Sequence, residues 1–317
     1  MADRQGHGPP GGAGGALRHS AFVYGSEAEY VERAVPFLRE GLEAGEGAVV
    51  ANTRDGIAAM HDALGADAAR VRFVDVGGAY TRPARTLAAY HEVYVDQLAA
   101  TPRLRALADV QWGPEEGEWD LWTAYEAVFN LSFEHLPAWV LCTYDTDGLP
   151  GPVLEGVRRT HPEVVDAAGW SESAAFGDPR SLLRGLRRGG AEPIGLRPLA
   201  VGGSGIDDPE ALREALAREL IATGAPESKV LDLLLAADEV AANARVHGGG
   251  IAAIRTGTVD GRFVCEVVDR GPGFDDPAAG FLAPRPGRGA GLWVARQLTW
   301  DIDFARAADG FTARIWL

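Results

Sequence analysis

Glu239 and Asn243 stand four residues apart in Glu239-Val-Ala-Ala-Asn243, and two glycine turns follow them, Asp269-Arg-Gly271-Pro-Gly273-Phe274 and Gly287-Arg-Gly289-Ala-Gly291-Leu292. On a helix, residues four apart share one face, so this spacing sets a carboxylate, able to act as a general base, one turn from an amide oxygen able to bind a hard cation. Glycine in the two turns lets the backbone take positive φ and approach a ligand closely. The one acid there, Asp269, is free to accept a hydrogen bond from a base edge. Together the three blocks read as a nucleotide site.

The elements that must position them follow from pattern. Helices are predicted at 208–223 and 226–247, strands at 250–258 and 261–269 joined by Asp260-Gly261, a helix at 290–299, and two closing strands. Asp-Gly between β-patterned runs is a strong hairpin signal. Helices with an antiparallel sheet make an α/β sandwich, here over 196–317. Upstream, short β-patterned runs at 21–24, 48–51, 71–76, 107–112 and 138–144 alternate with helical stretches near 27–43, 55–64, 84–100 and 119–135. That alternation predicts a largely parallel sheet covered on both faces, a three-layer α/β domain over 18–165. Residues 1–17 are Gly/Pro-rich and read as a disordered tail. Residues 166–195, punctuated by Gly177, Pro179, Gly189-Gly190 and Pro193, read as a linker with a short helix from Pro179.

Order and spacing of the three blocks resemble the N, G1 and G2 boxes of the GHKL ATPases, and especially the small anti-sigma kinases of the RsbW and SpoIIAB type. The resemblance implies a Bergerat-type sandwich that binds ATP with Mg²⁺ held by Asn243, and Glu239 as the catalytic base toward an attacking hydroxyl. Asp269 would accept from the adenine amine, with Gly271 and Gly273 shaping the turn beneath it. Gly289, Gly291 and Leu292 lead into a helix whose amino end suits phosphates. Arg288 is either a phosphate contact or solvated. His247, one turn after Asn243, takes a structural or phosphate-proximal role, and Thr312 matches a threonine near the adenine. Asp275 to Pro286 holds the place of a mobile ATP lid.

Residues 19 to about 165 resemble the MEDS sensory domain, on His19, Tyr24-Gly25, Pro36-Phe-Leu-Arg-Glu-Gly41-Leu, Tyr125-Glu126-Ala127, Leu141-Cys142-x-Tyr144-Asp145 and His161-Pro162. The likeness implies a RecA-like fold and signal sensing. The chain lacks GxxxxGK[ST] after its first strand, which argues against a second ATPase centre. His19, Tyr24, Glu126, Cys142, Tyr144 and His161 either line a sensory pocket for a small-molecule or protein signal or are ordinary core residues. Trp112, Trp119, Trp122 and Tyr125 read as packing. No spaced His/Cys pair points to a metal.

A net charge of -15, with Lys229 the one lysine among 30 Lys and Arg residues, argues against nucleic acid or anionic membrane as partner. No signal-like segment opens the chain, and no apolar run approaches the ~18 residues of a membrane span. Cys142 and Cys265 lie in separate apolar runs and read as buried thiols, consistent with a reducing cytoplasm. The resemblances together imply an anti-sigma Ser/Thr kinase under sensory control. Its partners would be a sigma factor and an anti-anti-sigma (STAS-type) protein, and it would act as a homodimer. A nucleotide-dependent module that sequesters without phosphorylating, or a sensor histidine kinase, are the alternatives.

Overall fold

The computed structural model describes residues 16–78, 80, 82–112, 116–186, 195–203, 205–282, 284, 289–307 and 310–317. Most of the segment read as a disordered tail therefore lies outside the described residues.

The first half is a seven-stranded sheet in the order β3-β2-β4-β5-β1-β6-β7. Its strands are β1 (Arg18–Tyr24), β2 (Gly47–Asn52), β3 (Arg72–Asp75), β4 (Leu104–Asp109), β5 (Ala138–Asp145), β6 (Glu163–Asp166) and β7 (Gly169–Glu172). All pairings are parallel except β6 with β7. The helices are α1 (Glu27–Glu43), α2 (Arg54–Leu64), α3 (Pro83–Leu98), α4 (Glu116–Phe133) and α5 (Gly151–Thr160). Side-chain alternation along β1 divides the core: Phe22 joins the apolar layer with Leu38, Val50 and Met60, while Ala21 and Val23 join the opposite layer with Tyr94, Tyr125 and Phe129. Ser26 and Thr53 cap α1 and α2 with their hydroxyls, which fixes where each strand turns into its helix.

Two sequence expectations need correction. The strand read at 107–112 is β4, three residues earlier, because Leu104 to Ala108 carry the apolar pattern that pairs with β2 and β5. The stretch read as a linker at 166–195 contains β7, an unexpected edge strand of the first sheet, beside the expected short helix, α6 (Pro179–Leu186), whose Leu182 and Leu183 are buried in the α3/α4 layer. Its glycines and prolines punctuate short packed elements.

The second half is a five-stranded sheet in the order β11-β12-β10-β9-β8, antiparallel throughout. It comprises β8 (Arg197–Pro198), β9 (Ile251–Val259), β10 (Arg262–Asp269), β11 (Asp301–Ala307) and β12 (Gly310–Trp316), with α7 (Pro209–Ile221), α8 (Glu227–His247) and α9 (Gly291–Leu298). The β9–β10 turn has φ of 48° at Asp260 and 76° at Gly261, the left-handed pair that the Asp-Gly signal implies. Asp208 caps α7 ahead of Pro209 at its first position. The helices pack on one face of the sheet through Leu216, Leu233, Ala237 and Val240 against Ile254, Cys265, Val267 and Ile315.

The halves meet along a continuous seam. Arg82, at the start of α3, pairs with Asp232 of α8 at 2.8 Å and donates to the carbonyl of Gln297 in α9. Gln297 returns a bond to the Ala84 carbonyl, and Arg262 pairs with Glu118 at 2.7 Å. Among the described residues no helix is long and apolar enough to cross a membrane. Both cysteines are buried and free.

Candidate nucleotide site

A cavity of about 300 Å³ opens between α8, the end of β10 and the start of α9. It is lined by Asn243 and His247 from α8, Asp269 and Gly273 from the first glycine turn, and Leu292 from α9. The four-residue spacing does what helical geometry requires: Glu239 and Asn243 project from one side of α8. Glu239 sits just beyond the cavity, where a Cβ added at Gly291 would overlap its carboxylate. That carboxylate therefore lies at the amino end of α9, a helix with no side-chain cap, whose first N–H groups are available to an anion.

The end of the cavity around Asp269 is built by backbone contacts. Asp269 closes β10 and accepts the Gly271 N–H at 2.7 Å through Oδ1, which holds the carboxylate in place. Gly248 lies so close that a Cβ there would overlap Asp269. Gly273 has φ of 63° and rests on the Phe311 ring, so any side chain would be both strained and obstructed. Phe274, Phe304 and Phe311 form an aromatic wall, with centroids 4.8 to 5.8 Å apart, that suits the face of a flat heterocycle.

Thr312 is a correction. Phe311 pairs with Asp269 across the β10–β12 ladder, and Phe311 and Ala313 line the cavity, so Thr312 points from the opposite face of the sheet. A shift of one residue in a strand exchanges faces. Gly289 is exposed just ahead of α9, while Gly287 and Arg288 lie outside the described residues. Sequence reasoning missed Phe304, Phe311 and Gly248. Period-two alternation from Asp269 across the sheet would have found Phe311. Asp238, beside Glu239, is held by Arg213 of α7 at 2.7 Å.

Of the stretch read as a lid, residues 283, 285 and 286 lie outside the described residues. Over 275–282 the segment is anchored: Ala278 and Phe281 are buried in the same apolar cluster as Leu182 and Leu183 of α6. Asp276 pairs with Arg180 of that helix. Arg296 of α9 bonds the Ala279 carbonyl at 2.8 Å and lays its guanidinium 3.9 Å from the Phe281 ring centroid.

In the first half, five of the six sensory candidates converge. His19, Glu126, Cys142, Tyr144 and His161 are all buried in the α4/α5 side of the sheet. Tyr24 does not join them, because it alternates to the α1 face with Phe22 and Tyr30. Burial keeps both imidazoles neutral, pushing His19 down to about 4 and His161 down to about 3, and it raises Glu126 and Cys142. Trp122 and Tyr125 are core, as read, whereas Trp119 lines a shallow surface cavity with Thr123 and Arg159.

An α/β sandwich with a carboxylate–amide helix, an acid held at a glycine turn and an uncapped helix start defines an ATPase domain of the GHKL class. Comparison with protein families agrees: residues 207–316 match the histidine kinase-like ATPase domain, and residues 18–162 match MEDS, the MEthanogen/methylotroph, DcmR Sensory domain. The chain thus joins a MEDS domain to a kinase-like ATPase domain, the make-up of a regulatory ATPase. No curated protein matches it.

Proposed function

We propose that this chain is an ATP-dependent protein serine/threonine kinase of the anti-sigma type. The MEDS domain receives a signal, and the ATPase domain phosphorylates a seryl or threonyl hydroxyl on an anti-anti-sigma (STAS-type) protein. A sigma factor is the second partner, and switching between the two in the cytoplasm is the regulatory output. The observation that carries kinase chemistry is the place of Glu239. Its carboxylate lies against Gly291 at the amino end of α9, one turn before Asn243.

The residues fit a magnesium nucleotide: an amide oxygen on the cavity wall, uncapped helix N–H groups and glycines that leave room for phosphates. Mg²⁺, where bound, would supply neutralisation of phosphate charge. Asn243 would hold the ion, Asp269 would accept from the adenine amine, and the phenylalanine wall would cover the base. Glu239 would take the proton of the attacking hydroxyl. A histidine kinase is disfavoured because no histidine lies between His161 and His247 to serve as phosphoacceptor ahead of the ATPase domain.

The test is transfer of labelled phosphate from ATP to a purified STAS-type candidate, giving an acid-stable phosphoester. Acid-labile label on a histidine would point to the histidine-kinase alternative. ATP binding and sigma capture without any transfer would establish the sequestering alternative.

Two variants probe the binding roles. Asn243→Ala should erase the gain in ATP affinity that Mg²⁺ confers, while affinity in chelator changes little; an undiminished magnesium effect would reject Asn243 as the ligand. Asp269→Asn keeps an acceptor for the Gly271 N–H but turns a donor toward the adenine amine. Lost buried hydrogen bonds of this kind cost about 1–3 kcal/mol, or roughly 5- to 150-fold in Kd. The loss should be smaller with inosine triphosphate, which lacks the amine. Equal losses with both nucleotides would show that Asp269 does not read the base.

A further inference from the structure

We propose that His19, Glu126, Cys142 and His161 form a closed, four-coordinate zinc site inside the MEDS domain. The four come from β1, α4, β5 and the residue after α5, up to 142 positions apart in sequence, so no spacing motif announces them. Their ligating atoms lie within 4.8 Å of one another. His19 Nε2 is 3.3 Å from Cys142 Sγ and 3.4 Å from Glu126 Oε2, and His161 Nε2 is 3.6 Å from the same oxygen. Tetrahedral zinc with N, O and S ligands at about 2.0–2.3 Å has ligand-to-ligand edges of about 3.3–3.8 Å. The cluster is already near that size.

The surroundings orient the ligands as a metal requires. Asn130 donates its amide N–H groups to the carbonyls of Glu126 and Thr160, at 3.0 and 2.8 Å, so its oxygen is the end that faces His19 Nδ1 at 3.1 Å. His161 Nδ1 lies 2.9 Å from the Val157 carbonyl, which can only accept. Both rings therefore carry their proton on Nδ1, and both Nε2 lone pairs point into the cluster. This is the arrangement by which metal-bound histidines are fixed from behind. Tyr144 donates to Glu126 Oε1 at 3.1 Å, leaving Oε2 fully buried without a hydrogen-bond partner. Acceptors converging on one buried point cost free energy unless something positive sits among them.

The donor set chooses the ion. Two imidazoles, a thiolate and a carboxylate form a borderline-soft tetrahedral set that suits zinc and not magnesium or calcium, which take oxygen. Four protein donors leave no open position. The ion would act as a clamp tying β1, β5, α4 and the end of α5.

Metal analysis of the full-length protein, grown with zinc and purified without chelator, should give one zinc per chain. Refolding from denaturant with Co²⁺ should produce a thiolate-to-cobalt charge-transfer band, and Cys142→Ser should remove that band. Asn130→Ala, which touches no metal, should weaken metal affinity by roughly 10- to 100-fold through loss of ring orientation. If Cys142→Ser fails to fold, the wild-type cobalt spectrum alone decides. A folded wild-type protein that carries no metal and shows no charge-transfer band on refolding with Co²⁺ would overturn the site in favour of a metal-free hydrogen-bonded cluster. Metal bound without that band would equally overturn it, since surface histidines such as His91 and His135 would then be the ligands.

Discussion

Glu239→Gln should bind Mg·ATP at least as tightly as the unaltered protein and transfer phosphate roughly 10²–10⁴-fold more slowly, the usual range for loss of a general base. The carboxylate lies at the amino end of α9, where phosphates would sit, so in the resting complex it is a negative charge beside other negative charges. Removing that charge relieves repulsion in the ground state. It also removes the carboxylate that lies against the amino end of α9 and could take a hydroxyl proton. The two effects move affinity and rate in opposite directions, which a simple loss of folding or of binding would not do. Glutamine keeps the size, so Gly291 at the start of α9 need not move away from α8. Single-turnover transfer to a cognate partner is the right measurement, because steady-state turnover can be limited by release. Transfer at the unaltered rate would remove Glu239 from the chemistry.

The sequence carries this half of the molecule well because its signals are local. Glu239 and Asn243 are related by one helical turn, Asp260-Gly261 closes its own hairpin, and Asp269 is held by a residue two positions away. Phe311 was harder to read, since its place depends on which residue of β12 pairs with Asp269, and a one-residue error moves it to the far side of the sheet. The buried His19, Glu126, Cys142 and His161 cluster was legible only as a set of separate residues. Its members meet because β1 and β5 are neighbours and α4 crosses above them, a property of topology and not of spacing. In the stretch after Asp166 the short helix from Pro179 is legible as α6, whereas β7 is not, because its four residues after Gly169 are too few to show a period.

The same stretch is also where the halves touch. α6 packs on α4 through Leu182 and Leu183, and the same apolar cluster takes in Ala278 and Phe281 of the segment that follows the first glycine turn. Arg180 and Arg184 of α6 face Asp276 and Asp275. A displacement of α4 or α6 therefore reaches the edge of the nucleotide cavity without crossing solvent. Phe281 is the apolar anchor of this contact, and Arg296 stacks over it while bonding Ala279 and Asp301.

Phe281→Ala should consequently uncouple the halves. Truncating a buried phenylalanine costs about 3–5 kcal/mol in a core, and because this ring lies at a seam, the loss should fall on docking more than on either sheet. Thermal unfolding is then expected to separate into two transitions, with the ATPase domain melting at a different temperature from the MEDS domain. Amide exchange over 275–282 should accelerate, while the β9–β10 hairpin, whose core of Ile254, Cys265 and Val267 does not involve Phe281, keeps its protection. Any signal-dependent change in kinase rate should be weakened in the same variant, since one contact between α4 and the cavity edge runs through this ring while Arg82–Asp232 and Arg262–Glu118 remain. A single transition at the unaltered midpoint, with unchanged exchange over 275–282, would show that Phe281 does not hold the two halves together.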